Sequence, residues 1–397
     1  MKTNISRPRP LDLLDIDSVL SEEEKAVQAT VRQICVKSVE PYIADWFERG
    51  ELPAARELAK EFGAVGLLGM HLDGYGCAGM SAVDYGLACL ELEATDSGIR
   101  SLVSVQGSLA MFAIHRWGSE EQKREWLPRM ATGEVIGCFG LTEPDHGSDP
   151  GNMRTHARRD GQDWILNGTK MWITNGSIAD IAVVWANAGA EHGGIRGFVV
   201  PTNTPGFSAP EIKHKMSLRA SITSELVLDN VRLPAAAVFP EVRGLKGPLS
   251  CLTEARYGII WGAMGAARSA FEAALTYSIQ RHQFGRPIAG FQLTQAKLAQ
   301  MNAELTNGML LALHLGRMKD RAGLRPDQVS VGKLNNVSKA LEICRTARTI
   351  LGANGISAEF PVMRHANNLE SVLTYEGTVE MHTLVVGQAL TGQAAYR

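Results

Sequence analysis

The chain has 397 residues, 40 Lys and Arg against 42 Asp and Glu, a formal charge of −2 and 45% apolar residues. This is an ordinary globular balance, long enough for two or three domains with ample cores. It lacks both the basic excess of a nucleic-acid binder and the roughly 18–20 uninterrupted apolar residues of a membrane-spanning helix.

Met1–Pro10 carries one Lys and two Arg but no apolar stretch, so no secretory signal is read there. From about Ser21 to Gly133 the pattern is helical. Ser21 with Glu24 three residues on reads as a capping box, and Val27, Val31, Ile34 and Cys35 then recur at helical spacing. Leu58–Phe62, Ala82–Leu92, Leu102–Trp117 and Glu120–Met130 read the same way. Gly74-Tyr75-Gly76-Cys77-Ala78-Gly79 is a literal G-x-G-x-x-G with Asp96 further on, but its flanks are helical. A dinucleotide site needs a strand before that turn, so the segment predicts a turn ahead of a helix capped by Ser81.

Between about Val135 and Val242 the period changes to that of strands. Trp164–Leu166 and Thr169–Ile173 flank Asn167-Gly168, which predicts a hairpin with its turn at those two residues. Ile181–Trp185, Gly197–Val200 and Leu226–Leu233 are further β-rich runs, and the frequent turn signals predict an antiparallel sheet or barrel. From Gly247 onward helices return, at Leu249–Gln280, Phe291–Arg321, Pro326–Leu351 and Thr378–Leu390. Six scattered cysteines, none in a C-x-x-C pair, read as idle or buried thiols of a reducing compartment. The expected location is therefore cytoplasmic, in preference to the mitochondrial matrix.

No Walker A, H-E-x-x-H or G-x-S-x-G motif occurs and no histidine has zinc spacing with cysteines, so no metal is expected. His282, His314, His365 and His382 read as solvated or core histidines. Four other segments carry chemistry. Gly137–Pro150 is rich in Gly, Ser and Thr, whose N–H and hydroxyl groups can cradle a polar ligand. In Met171–Gly176, Trp172 offers a flat apolar face and Thr174 a hydroxyl, suiting a planar heteroaromatic ring. Arg281–Pro287, followed by Phe291-Gln292, sets guanidinium groups beside aromatics at a helix end, suiting a pyrophosphate and a ring. In Thr374–Thr378, Glu376 stands between Tyr375 and Gly377 just before a helix capped by Thr378. A carboxylate there can take a proton α to a carbonyl if burial lifts its pKa. Singly, each segment also fits a plainer role: a linker loop, a strand aromatic, a basic helix end, an exposed turn glutamate.

Together, in this order and at these separations, the four segments resemble the acyl-CoA dehydrogenase family across essentially the whole chain. The resemblance implies an α+β fold with an N-terminal helical domain (1–134), a central antiparallel β-barrel (135–245) and a C-terminal four-helix bundle (246–397). It implies FAD between barrel and bundle, and a homotetramer, a dimer of dimers, in which two subunits hold each FAD. Phe139, Leu141 and Thr142 match the loop that touches the flavin, with Ser148 at its end, also on the substrate side. Trp172 and Thr174 match the pair flanking the flavin. Arg281, Phe284 and Gln292 match a neighbouring subunit's contacts to the FAD pyrophosphate and adenosine. Gly352-Ala353-Asn354-Gly355 stands where the family has G-G-N-G, so the Ala353 methyl is expected to weaken FAD retention. Thr378 and Glu380 match positions over the adenine end, and Arg256 a residue on the CoA side. Glu376 falls on the catalytic base, with Gly377 beside the substrate. Ala255 stands where other branches place the base and cannot serve.

Gly74–Gly79, Asp96–Ser101, Ser217–Ser221 and Ala255–Ile259 resemble most the glutaryl-CoA dehydrogenase branch of that family. This implies that Arg100 pairs with the distal carboxylate of a dicarboxylic thioester, helped by Ser101 and Ser104, in a pocket shared with Glu93 and Tyr375. It further implies decarboxylation to crotonyl-CoA and an electron-transferring flavoprotein as acceptor. By spacing alone, Arg100 is equally placed to pair with Asp96 in an exposed i,i+4 pair worth about 0.2–0.5 kcal/mol. That reading goes with a plain short-chain acyl-CoA, oxidised by a dehydrogenase or an oxidase. A flavin-less binding or scaffold protein is a third reading, supported by Ala353 alone.

Overall fold

Ser21 starts the first long helix as a reciprocal cap: its Oγ accepts from the Glu24 N–H at 3.2 Å, and Glu24 Oε2 accepts from the Ser21 N–H at 2.8 Å. The computed structural model describes residues 12–395, so the reading of Met1–Pro10 lies outside the described residues. The first helical region comprises α1 (Glu22–Ser38), α2 (Ile43–Arg49), α3 (Ala55–Ala64), α4 (Ala82–Thr95), α5 (Ser97–Ser104), α6 (Phe112–Trp117) and α7 (Glu120–Ala131). Gly74–Gly79 is the expected turn, its three glycines at φ 74°, 82° and 65°, and Ser81 caps α4 together with Asp84. The expected single helix over 102–117 is instead α5, a π-helical segment Val105–Met111 and α6. π turns recur at functional sites. Here Gln106, within that segment, donates to Met130 O and Val135 O and accepts from Gly137 N, which ties the helices to the first strand.

The strands are β1 (Gly137–Gly140), β2 (His156–Asp160), β3 (Asp163–Thr174), β4 (Ile181–Asn187), β5 (Ile195–Pro201), β6 (Phe207–Ser208) and β7 (Thr223–Leu233). They form one curled sheet in the order β1-β4-β2-β3-β7-β6, with β5 also on β4. β1 runs parallel to β4, so the sheet is mixed where a wholly antiparallel one was expected. The chain between β1 and β4 carries β2 and β3, and it provides the long crossover that a parallel pair requires. The predicted hairpin turn at Asn167-Gly168 is not formed. The turn is two residues long at Gly161-Gln162, and β3 runs straight through Asn167 and Gly168, where its register with β7 shifts. Gly168 is needed there for close approach, since a Cβ would lie 2.5 Å from Thr155 Oγ1. A glycine inside a strand marks a bulge as readily as a turn.

The second helical region has α8 (Lys246–Gln280), a small hairpin β8 (His282–Gln283) and β9 (Arg286–Pro287), α9 (Gln292–Ala322), α10 (Pro326–Leu351), α11 (Val362–Thr374) and α12 (Val379–Thr391). α11 was not anticipated, although Val362, His365, Ala366, Leu369 and Val372 line one buried face. α8 packs chiefly on α10 and α4, joining both helical regions in one core. That junction is pinned by Glu91 of α4. Arg268 of α8 grips both of its oxygens at 2.7 Å, Arg32 of α1 does so at 2.9 Å, and Gln28 donates at 2.7 Å. Burial raises the Glu91 pKa, but the two guanidinium groups outweigh it and hold the carboxyl at about 2. Among the described residues all six cysteines are free, no group of side chains could hold a metal ion, and no helix is long and apolar enough to cross a membrane.

Candidate active site

α11 ends at Thr374, and α12 begins at the Thr378 cap, whose Oγ1 accepts from Met381 N at 3.3 Å. Between them the backbone turns left-handed twice, at Glu376 (φ 52°) and Gly377 (φ 99°). A non-glycine residue held there costs on the order of 1–3 kcal/mol, so the surroundings must impose it. They do so through the carbonyls. Lys333 Nζ donates to Tyr375 O at 2.8 Å and Gly377 O at 2.7 Å, and Arg256 Nε donates to Glu376 O at 2.6 Å. A Cβ on Gly377 would lie 2.8 Å from His382 Nε2 and 3.2 Å from Arg256 Nη2, so only glycine fits.

The turn delivers the Glu376 carboxylate into the protein, where Oε2 is shielded from solvent without a hydrogen-bond partner. Burial raises its pKa, with Arg100, Lys333 and Arg256 partly opposing that rise. A carboxylate oxygen so placed is free to take a proton from a ligand.

Arg100 lies beside it, 1% exposed. Its Nε donates to Glu93 Oε2 at 2.7 Å, its Nη2 donates to the Tyr375 hydroxyl, and its guanidinium stands 5.6 Å from the Tyr375 ring centre. Glu93 Oε1 accepts from Ser97 Oγ at 2.8 Å. The alternative pairing of Arg100 with Asp96 is not formed. Asp96 is fully buried and caps α5 through Gly98 N at 2.7 Å; it also accepts from Asn368 Nδ2 at 2.8 Å and faces Arg364 Nε at 3.1 Å. Asp96 is the N-cap of α5, so its side chain folds onto the Gly98 N–H instead of lying along the helix face beside Arg100. Arg100 has five N–H donors, and Nη1 makes no hydrogen bond among those described. Next to Arg100 and one turn along the helix, Ser101 Oγ and Ser104 Oγ are buried, close to the hydroxyls of Tyr375 and Tyr85 respectively. The cluster of Glu93, Arg100, Ser101, Ser104, Arg256, Tyr375, Glu376 and Gly377 thus gathers as expected. It offers one carboxylate oxygen and several unused donors.

The loop after β1 is held by a buried ion pair absent from the sequence reading. Lys170 Nζ donates to Leu141 O at 3.0 Å and to Glu143 Oε1 at 2.8 Å. Glu143 also accepts from Arg154 N at 2.6 Å and Thr155 N at 2.9 Å. Phe139 and Leu141 are buried, Thr142 is half-buried and Ser148 exposed. Met171 N donates to Thr142 O at 2.8 Å, which sets the loop against β3. Trp172 sits there at a register shift with φ 62° and is 58% exposed, with half-buried Thr174 two residues on. A flat apolar face left open beside two hydroxyls and a braced loop fits the flavin ring that the resemblance implies.

Arg281, Phe284 and Gln292 do not join this cluster. Arg281 closes α8, roughly 37 Å from Arg256 along the axis at about 1.5 Å per residue. All three are exposed, Phe284 by 92%. The Gly352–Gly355 turn gathers at the same end through Asn354 Nδ2, which donates to Tyr277 OH at 2.9 Å, and Ala353 is exposed. Thr378 is half-buried as the α12 cap and Glu380 is exposed.

Lys333, Lys170 and Glu143 are the residues that sequence reasoning missed, whereas His382, read as a solvated or core histidine, is buried. Lys333 had a signal, since it falls on the face of α10 that also carries Val329, Asn336, Val337 and Ala340, all buried.

Family models described as the acyl-CoA dehydrogenase N-terminal, middle and C-terminal domains match residues 21–134, 138–231 and 242–391. The human mitochondrial short-chain specific acyl-CoA dehydrogenase is 34% identical over 371 residues, covering 92% of this chain and 90% of its own. A crystal structure of glutaryl-CoA dehydrogenase from Mycobacterium smegmatis is 68% identical with a TM-score of 0.96, over 98% of this chain and 100% of that one. Another from that organism, in complex with FADH2, is 63% identical, with the same TM-score and coverage.

Proposed function

The chain belongs to the acyl-CoA dehydrogenase family, and from that premise we propose that it dehydrogenates glutaryl-CoA with loss of CO2, giving crotonyl-CoA. It is a flavin-dependent enzyme. FAD, when bound, supplies the acceptor for the hydride that leaves the β-carbon. Phe139, Leu141, Thr142, Trp172 and Thr174 would hold its ring. Arg281, Phe284, Gln292 and the 352–355 turn, exposed at the far end of α8, would serve the FAD of a neighbouring copy in a homotetramer. Thr378 and Glu380 would lie over the adenine end.

Glu376 removes the proton α to the thioester carbonyl. Its unpartnered Oε2 is the accepting atom, and its raised pKa makes it a stronger base than an exposed glutamate. Arg100 holds the distal carboxylate through its remaining N–H donors, with Ser101 and Ser104 beside it. After the α proton and β hydride have gone, the distal C–C bond breaks. Its electron pair is delocalised through the new double bond into the thioester, CO2 leaves, and one proton adds to give crotonyl-CoA. Electrons leave to an electron-transferring flavoprotein. Six free thiols support a reducing cytoplasm as the setting.

The observation that carries this reading is the buried Arg100 beside Glu376 with donors to spare. The plain short-chain reading required Arg100 to be tied to Asp96, and that pair is absent. The test is a single turnover with glutaryl-CoA, with CO2 and acyl products quantified. Crotonyl-CoA and CO2 in equal amounts are expected. Glutaconyl-CoA as the end product, or no turnover, would contradict the proposal.

A further inference from the structure

α10 buries a lysine where its neighbours on the same face are mostly apolar: Lys333 is 2% exposed. Removing an ammonium from water costs several kcal/mol unless it is well bonded and balanced by charge. Its bonds are unusual, because both go to backbone carbonyls, those of Tyr375 and Gly377 on either side of Glu376. With Arg256 on the carbonyl of Glu376 itself, the turn that aims the carboxylate is held by two cations at three consecutive residues. The negative charge that favours the ammonium is the carboxylate of Glu376.

We propose that Lys333 is a positioning residue for the base: its Nζ fixes the left-handed turn at Glu376, and its charge keeps that carboxylate ionised for proton removal. This rests on Glu376 as the base. The charged groups acting on Lys333 are Glu376 on the turn, Arg256 on α8 and Arg100 on α5, and the Tyr375 ring centre lies 5.9 Å from its Nζ. On α12, His382 is held neutral by burial and by these cations, its pKa at about 3, and its Nδ1 meets Ser330 Oγ at 3.0 Å. Burial lowers the Lys333 pKa, and the Glu376 carboxylate opposes that fall.

The test uses FAD-loaded enzyme and a glutaryl-CoA analogue with sulfur in place of the β-carbon, which has α protons but no hydride to give. Exchange of those protons into D2O reads proton removal alone. Lys333→Met removes both bonds and charge, whereas Lys333→Gln keeps a donor without the charge. In both, loss of the cation raises the Glu376 pKa. The acid limb of the exchange profile should move up by about one pH unit, with exchange well down that limb falling about tenfold at fixed pH. Binding of the analogue should stay within about twofold, as uniform binding is untouched. An unchanged profile with a uniform drop in rate would make Lys333 a structural brace only and overturn the inference. Glu376→Gln separates the two readings. Exchange surviving in it removes the base and Lys333's role together, whereas its loss beside an unshifted Lys333→Met profile removes only the latter. Should neither lysine variant fold, 15Nζ-lysine NMR of the wild type and Glu376→Gln decides. A Lys333 pKa that falls in Glu376→Gln supports the coupling, and one that does not move overturns it.

Discussion

α8 carries Arg256 about three turns from its start and is closed by Arg281, its C-cap, and the two have opposite surroundings. Arg256 is clamped on the Glu376 turn, within a cluster where Arg100, Glu93, Tyr375 and Lys333 are all supplied by the same chain. Arg281 lies in the open beside Phe284, which is 92% exposed. Proton chemistry depends on burial to shift pKa values, so it needs a complete shell, and one chain provides it. Groups that only grip a cofactor can wait in the open until something covers them. The difference therefore separates residues whose loss strains this chain from residues whose loss leaves its packing untouched.

The largest effect is expected at the closed end. Glu376→Gln should slow anaerobic flavin reduction by glutaryl-CoA about 10²–10⁴-fold, while the melting curve stays cooperative because the side chain is nearly isosteric. Stopped-flow bleaching and a melting curve check both halves, and a rate near wild type would break the comparison. Next is Arg100→Met. It leaves Glu93 buried and uncompensated, so denaturant unfolding should show about 3–5 kcal/mol of lost stability. A loss below about 1 kcal/mol would mean that the pair is open to solvent.

The helical junction sharpens the same contrast through pH. Glu91 has a folded pKa of about 2 against its ordinary 4.5. A depressed acid contributes stability fully above its unfolded pKa, and that contribution is lost as pH falls from about 4.5 toward 2. Roughly 3 kcal/mol should disappear over that window, and Glu91→Gln should flatten the acid limb in urea melts taken between pH 5 and pH 3. At the open end, Phe284→Ala and Arg281→Ala should change stability by no more than about 0.5 kcal/mol yet lower the FAD retained on gel filtration. Ala353→Gly should raise that retention slightly. Equal FAD content in all three would detach this end from the cofactor.

Legibility in the sequence followed the range of the interaction. Caps at Ser21, Ser81 and Thr378 are decided within four residues and read correctly. Asn167-Gly168 looked equally local, but its glycine answers to Thr155 across a strand pair, and the turn fell elsewhere. α11 escaped because polar residues interrupt its apolar face. In the site, Glu376, Arg100, Glu93, Tyr375 and Arg256 were singled out through motif order, and the structure brings them together. Lys333 was not singled out, since it meets the turn from a separate helix, and Asp96 is taken by Asn368 and Arg364 from α11. A lysine that braces carbonyls has no signature of its own beyond standing on an apolar stripe.

The central claim is that Arg100 reads a distal carboxylate while Glu376 takes the α proton. Its most direct test is anaerobic flavin bleaching by glutaryl-CoA and, separately, butyryl-CoA, in the wild type and in Arg100→Met. Wild type should prefer glutaryl-CoA by roughly 10²–10³-fold in kcat/KM, the size of a buried charge pair, and Arg100→Met should erase that preference. A wild type that prefers butyryl-CoA, or an Arg100→Met variant that keeps its preference for glutaryl-CoA, would contradict the claim.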